Sequence, residues 1–104
     1  MHIEINAAHG VERSTALDEH IRSKLGRVER HHGDRLTQVI VFLDDVNGGK
    51  GGVDTSCRME ARPAGLDPVT VEAMDTDAYR SVQDAADKLD RALEHRLGRV
   101  EARH

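Results

Sequence analysis

Residues 53–73 read VDTSCRMEARPAGLDPVTVEA, and apolar or small side chains alternate with polar ones on both sides of a central turn. A period of two is typical of strands with one buried face, and Pro63, Gly65 and Pro68 supply the turn. The stretch therefore predicts two antiparallel strands. The residues that we expect to face the core in the first of them are Val53, Thr55, Cys57, Met59 and Ala61.

Upstream, the chain contains two more strand patterns and one helical pattern. Residues 36–44 are apolar on both faces, which predicts a central strand whose second face is partly covered. Residues 2–6 alternate and predict a first strand. Between these two strands, Ser14 and Thr15 are capping residues for a helix over about 15–31, and Gly33 is a natural stop. The glycine-rich run over 47–52 predicts a hairpin loop.

Downstream, we expect Asp75, Thr76 or Asp77 to cap a long helix. Its expected apolar stripe is Tyr79, Val82, Ala86, Leu89, Leu93, Leu97 and Val100. The resulting order is βαβββα, an α+β fold with a four-stranded sheet and two helices packed on one face. The first two strands are expected to be parallel and the later pairs antiparallel. We expect residues 1–104 to form a single domain, whose other sheet face lies in water.

Composition excludes several classes of function. Among 104 residues the only aromatic side chains are Phe42 and Tyr79, so a base-stacking site is not expected. The longest apolar run, over 39–43, is far shorter than the ~20 residues that a bilayer requires. We therefore expect a soluble cytoplasmic protein with no leader and no membrane partner. The single cysteine, Cys57, excludes an internal disulfide and is expected to be a small buried hydrophobe rather than a nucleophile.

The net charge of −4 hides a segregated pattern. Residues 33–76 hold the whole excess, with four Lys or Arg against eight Asp or Glu, and the remainder is balanced at eleven against eleven. On a helical wheel, basic side chains of the second helix fall on one stripe, which comprises Lys88, Arg91, His95 and Arg99. The matching stripe on the first helix comprises His20, Lys24, Arg27 and His31. The two stripes could form one cationic, phosphate-binding surface, or they could be ordinary solvated faces with i, i+4 pairs such as Asp84 and Lys88.

Two segments resemble a known family. Residues 75–96, DTDAYRSVQDAADKLDRALEHR, resemble the closing helix of the ribosome hibernation promoting factor and ribosome-associated inhibitor A family, also called sigma-54 modulation proteins. The most specific match is ADKLDR, residues 86–91. Residues 17–30 are similar to the family's first helix. Together with the βαβββα order, the resemblance covers essentially the whole chain.

The resemblance implies a translation inhibitor of stress or stationary phase. It implies binding to small-subunit rRNA in the channel used by mRNA and tRNA, with no enzymatic activity, cofactor or small-molecule substrate. Carrying over the family's basic helix positions, together with the two wheels, gives the expected RNA-binding residues Lys24, Arg27, His31, Lys88, Arg91, His95 and Arg99. Because the chain stops at residue 104, we expect no second, ribosome-pairing domain, so pairing would need another factor.

An alternative hypothesis is a protein-interaction module that self-associates through its sheet, with Ile40 and Phe42 exposed. A homo-oligomer is therefore left open. No metal site is expected from the seven histidines, because none has a known ligand spacing. The adjacent His31 and His32 would point about 100° apart on a helix. The glycine-rich run lacks the order of a phosphate-binding loop.

Overall fold

The structure is a computed structural model that describes residues 1–8, 10–46 and 54–101, with side chains described as far as residue 98. The strands are β1 (His2–Ala7), β2 (Leu36–Asp45), β3 (Thr55–Pro63) and β4 (Val69–Asp75). The helices are α1 (Thr15–Lys24), α2 (Gly26–His32) and α3 (Ala78–Glu101), and a 3-10 turn spans Gly33–Arg35. The expected loop over 47–52 and the expected strand residue Val53 lie outside the described residues.

The sheet has the order β1-β2-β3-β4, with β1 parallel to β2 and both later pairs antiparallel. This confirms the predicted βαβββα, α+β fold. Because β1 and β4 point in the same direction, the helices that follow them return across the sheet in the same direction as each other. Residues 59 apart therefore meet across the two helices, as His20 meets Tyr79 and His31 meets Asp90.

The first predicted helix is divided in two. Ser14 caps it as expected, since its hydroxyl oxygen accepts a hydrogen bond from the Leu17 amide at 3.1 Å. The prediction of one helix over 15–31 was wrong in detail, because α1 ends at Lys24 and Leu25 takes a ψ of −6° before α2 begins. Leu25 is fully buried together with Ile21 and Val28. The apolar stripe is therefore continuous across the break.

One hydrophobic core lies between the helices and the sheet. The expected core residues of β3 are buried from Thr55 to Ala61, and Cys57 is fully enclosed, as predicted. On α3 the predicted stripe is buried from Val82 to Leu97, but Tyr79 is 40% exposed because it stacks edge-on against His20 instead of entering the core. The side chain of Val100 lies outside the described residues.

The second face of the sheet is polar and only partly open to water. Arg58 and Glu72 are exposed there, as predicted. The expectation that Ile40 is exposed was wrong: only 6% of it is accessible, and its neighbours across the strands are Glu4 and Glu60. Phe42 is half-buried, with the Arg58 guanidinium 4.6 Å from its ring centroid. Long polar side chains therefore cover the apolar residues of β2.

None of the described helices combines the length and the apolar character needed to cross a membrane.

Candidate nucleic-acid interface

A groove of about 290 Å³ lies between the α1–α2 segment and α3. We call it the interhelical groove. Its lining residues are Ser23, Lys24, Arg27, Arg30, Gln83, Ala86 and Asp87. Three basic side chains thus face one carboxylate, and the groove carries a net positive charge in a protein whose total is −4.

Helical spacing brings these basic residues together. Lys24, Arg27 and Arg30 recur every three residues along the flank of a stripe whose members Leu25 and Val28 are fully buried. The apolar stripe fixes the rotation of the helical segment against the core. It thereby holds the three cations along one wall of the groove.

The opposite wall of the interhelical groove is the segment of α3 around Ala86, a residue with a short side chain. Ala86 is almost fully buried, and its methyl group allows the two helical segments to approach closely. Gln83 and Asp87 are its neighbours on the same wall.

Ion pairs with the described carboxylates do not neutralise the cations of the interhelical groove. Over the described ranges 1–8, 10–46 and 54–98, no carboxylate lies within 4.0 Å of the charged groups of Lys24, Arg27 or Arg30. Basic side chains without internal partners can bind phosphate and release its counterions on binding. The groove therefore has the charge and the free donors that a nucleic-acid backbone requires.

A second groove, of about 350 Å³, lies between α3 and the edge strand β4. We call it the edge groove. Its lining residues are Ala73, Met74, Asp84, Asp87, Lys88 and Arg91. Two bases face two carboxylates, so this groove is electrically balanced.

The two predicted bases of the edge groove differ in their contacts. Lys88 donates a hydrogen bond from Nζ to the backbone oxygen of Glu72 at 2.9 Å. Arg91 is exposed, and none of the described carboxylates lies within 4.0 Å of its guanidinium. Arg91 is therefore the base of this groove that is available for a phosphate.

The structure thus brings Lys24 and Arg27 together and places Lys88 and Arg91 in a neighbouring groove. Asp87 lines both grooves and lies between the two sets of bases. Sequence reasoning missed Arg30, although its position three residues after Arg27 was a sufficient signal. Two members of each predicted stripe therefore line adjacent grooves of different net charge.

The remaining predicted residues lie farther along the helices. His31 is half-exposed, and its Nδ1 lies 3.1 and 3.2 Å from the two carboxylate oxygens of Asp90. His95 is exposed on α3. Arg99 lies within α3, but its side chain is outside the described residues.

The thiol of Cys57 has no nucleophilic character in this setting. Burial raises the pKa of the Cys57 thiol to about 12, because the thiolate would be formed inside the core. A protonated, enclosed thiol neither attacks a substrate nor binds a metal at neutral pH.

Comparison with solved structures identifies the same fold in ribosome-related proteins. A ribosomal subunit interface protein from Coxiella burnetii matches with a TM-score of 0.80 and 21% identity, over 94% of this chain and 99% of that one. The N-terminal domain of Protein Y from Thermus thermophilus matches with a TM-score of 0.75 and 22% identity, over 91% of this chain and 98% of that one. At these identities the likeness establishes the fold alone. A search of curated protein sequences gave no match.

The family comparison is more specific than the structural one. The family model described as sigma 54 modulation protein / S30EA ribosomal protein matches residues 3–101, which is nearly the whole chain. Its members are ribosome-associated modulation proteins and not enzymes, which agrees with the expectation for this chain. The helices that carry the groove, and all of the sheet except His2, lie within the match. This protein therefore belongs to the sigma 54 modulation protein / S30EA ribosomal protein family.

Proposed function

We propose that this protein binds the small ribosomal subunit through its rRNA and inhibits translation by occupying the channel of mRNA and tRNA under stress or in stationary phase. The interhelical groove is the main contact. Arg91 extends the contact along α3, and Lys88, His31, His95 and Arg99 are its outer members. Membership in a ribosomal-protein family supports the ribosome as the partner.

The observation that carries the proposal is the group of three cations on one groove wall, Lys24, Arg27 and Arg30, which form no ion pair with any carboxylate of the described residues. The major groove of A-form RNA is too deep and narrow for side chains, so proteins contact its phosphates and 2′-hydroxyls and recognise its shape. A row of bases along one groove wall suits that target. The scarcity of aromatic residues, Phe42 and Tyr79 alone, fits backbone contact rather than base stacking.

Inhibition follows from occupancy in this proposal. The protein needs no chemical step to act, because a folded domain in the channel excludes mRNA and tRNA sterically. Subunits already loaded with mRNA and tRNA should therefore bind the protein less well than empty subunits.

The test is co-sedimentation of the protein with isolated 30S and 50S subunits at low and high salt. The variant Arg27→Glu/Arg91→Glu reverses one exposed cation on each helical segment. We expect it to bind 30S subunits at least about tenfold more weakly than the wild type, because each reversal replaces attraction to phosphate by repulsion. Wild-type protein should pellet with empty 30S subunits and lose binding at high salt.

The matched control is Arg58→Glu/Arg62→Glu, which makes the same change of net charge on the second face of the sheet. This variant should bind 30S subunits within about twofold of the wild type once circular dichroism has shown that it is folded. Equal losses in the two double variants would refute the interhelical groove as the contact. If the wild-type protein pelleted equally well with 50S and 30S subunits, the proposal that it binds the small subunit would be refuted.

The structure favours this proposal over self-association through the sheet. Ile40 is buried and Phe42 lies beneath Arg58, so the apolar side chains that β2 places on the second face are covered. At the free edge of β1, Arg13 donates to the backbone oxygen of Ile5 at 3.0 Å, and Lys88 makes the equivalent contact on β4. Basic side chains at both edges hinder strand pairing between copies.

A further inference from the structure

The end of α2 and the middle of α3 enclose a cluster of metal-ligating groups outside both grooves. His31 and His32 approach the carboxylate of Asp90, with one ligand atom from each lying within 4.8 Å of the others. The Glu94 carboxylate lies one helical turn beyond Asp90, and its Oε2 is 4.0 Å from His32 Nε2. We propose that this cluster is a binding site for a divalent transition metal of the zinc type, with His31 Nδ1, His32 Nε2 and Asp90 as ligands.

The state of His32 is the first argument. Its side chain is only 5% exposed, and among the described groups Nε2 makes no hydrogen bond, although Asp90 Oδ1 lies 3.4 Å from it. A buried polar atom without a partner is costly and therefore uncommon. A metal ion between Nε2 and the carboxylate would satisfy both groups, since neutral imidazole nitrogen is a common metal ligand.

The distances are the second argument. In a tetrahedral site with bonds of about 2.0–2.1 Å to nitrogen and oxygen, neighbouring ligand atoms are about 3.3 Å apart. His31 Nδ1 lies 3.1 Å from Asp90 Oδ1, and His32 Nε2 lies 3.4 Å from the same carboxylate oxygen. Small rotations of the half-exposed His31 ring and of Asp90 would bring three ligands around one ion. Glu94 or water would complete the coordination.

The chemistry of the donors selects the ion. Two imidazole nitrogens with one or two carboxylate oxygens suit Zn²⁺, Co²⁺ and Ni²⁺, whereas Mg²⁺ and Ca²⁺ prefer oxygen ligands alone. The only cysteine, Cys57, is buried in β3 and takes no part. Because the ligands come from both α2 and α3, a bound ion would also cross-link the two helical segments.

From the sequence we expect no metal site, because two adjacent histidines on a helix point about 100° apart. His32 does not have helical backbone angles, so this separation does not apply here. His32 is the last residue of α2 and takes φ −135° and ψ −1°, outside the helical region. The two histidines also use different ring nitrogens, Nδ1 of His31 and Nε2 of His32. Side chains adjacent in sequence can therefore converge on Asp90, which is contributed by a distant segment.

The test is isothermal titration calorimetry, in which ZnCl₂ is added to the full chain after treatment with a chelator. MgCl₂ is the negative control. We expect one saturable Zn²⁺ site per chain, an increase in Tm on zinc addition, and no binding of Mg²⁺. The variants His31→Ala and Asp90→Asn should each weaken zinc binding at least about tenfold and lose the Tm increase. Both change partly accessible side chains, so they avoid the folding risk of replacing His32.

Matched controls separate this site from adventitious binding to surface histidines. His20→Ala removes a histidine of α1, and Asp87→Asn removes a carboxylate of α3 one turn before the cluster; both should bind zinc like the wild type. Absence of saturable zinc binding in the wild type, or equal binding by wild type and Asp90→Asn, would overturn the proposal. Ribosome binding is measured separately with Arg27→Glu/Arg91→Glu, so failure of either proposal leaves the other intact.

Discussion

At the scale of single residues, burial determines which chemically active groups can react. Cys57 occupies a core-facing position of β3 and is fully enclosed, so its thiol stays protonated. His32 is almost as deeply buried, but its Nε2 faces a carboxylate. Burial therefore keeps the Cys57 thiol unreactive, whereas the buried imidazole of His32 is a candidate metal ligand because a carboxylate lies beside it.

The raised pKa of Cys57 predicts a loss of stability in alkali. The unfolded thiol ionises near its ordinary pKa of about 9, whereas the folded thiol keeps its proton up to about 12. Unfolding is therefore increasingly favoured as pH rises through this window. Between pH 8 and 10 the wild type should lose about 1.4 kcal/mol more of its unfolding free energy than Cys57→Ala does, as measured by urea denaturation.

The same experiment has a direct chemical check. The wild-type thiol should resist alkylation at pH 8 in the native state and react rapidly in denaturing urea. Rapid alkylation of the native protein, or identical pH dependence in wild type and Cys57→Ala, would contradict the enclosed position of the thiol.

At the scale of secondary-structure elements, local signals set where the helices begin, and packing sets how they are interrupted. Ser14 and Asp77 both cap helices through side-chain oxygens. The apolar periodicity does not indicate the break at Leu25, because the buried stripe continues across it. Parallel packing of α1–α2 and α3 then forms both the interhelical groove and the histidine–aspartate cluster.

The cap of α3 gives a prediction at this scale. Asp77 Oδ1 accepts a hydrogen bond from the Tyr79 amide at 2.9 Å. Asp77→Ala should lower the unfolding free energy by about 1 kcal/mol, because one amide at the helix N-terminus loses its partner. Asp84→Ala, which removes the same charge from an exposed site within α3, should change stability by less than about 0.5 kcal/mol. Equal effects in urea denaturation would contradict the capping role.

At the scale of the whole molecule, the distribution of charge matters more than its sum. The total is −4, yet the interhelical groove has three bases and one acid, while the edge groove is balanced. The acidic excess of residues 33–76 belongs to strands β2–β4, the 3-10 turn and their connections, and not to the three α-helices. A small positive surface can therefore coexist with an acidic total.

This distribution predicts the salt dependence of ribosome binding. A plot of log affinity against log salt concentration should have a negative slope for the wild type, because phosphate binding releases counterions. Reversing Arg27 and Arg91 should make the slope shallower by about 2, and reversing Arg58 and Arg62 should change it by less than about 0.5. Identical slopes in the two variants would show that ribosome binding depends only on the net charge of the protein and not on where the charges lie.

The amino-acid sequence by itself determined the order of elements, the antiparallel strand pairs, the buried faces and the helix starts. These follow from periodicity, caps and turn residues, which act between near neighbours in the chain. It also identified Lys24, Arg27, Lys88 and Arg91 as candidate contacts, because helical spacing sorts them onto stripes.

Only the tertiary structure decided which of these residues share a groove, that Asp87 stands between them, and that Ile40 is covered. It alone brought His31 and His32 to Asp90, 59 and 58 residues along the chain. Such contacts depend on the direction in which two distant helical segments pack against one sheet. No local pattern encodes that direction, because it results from the strand topology and the shared core.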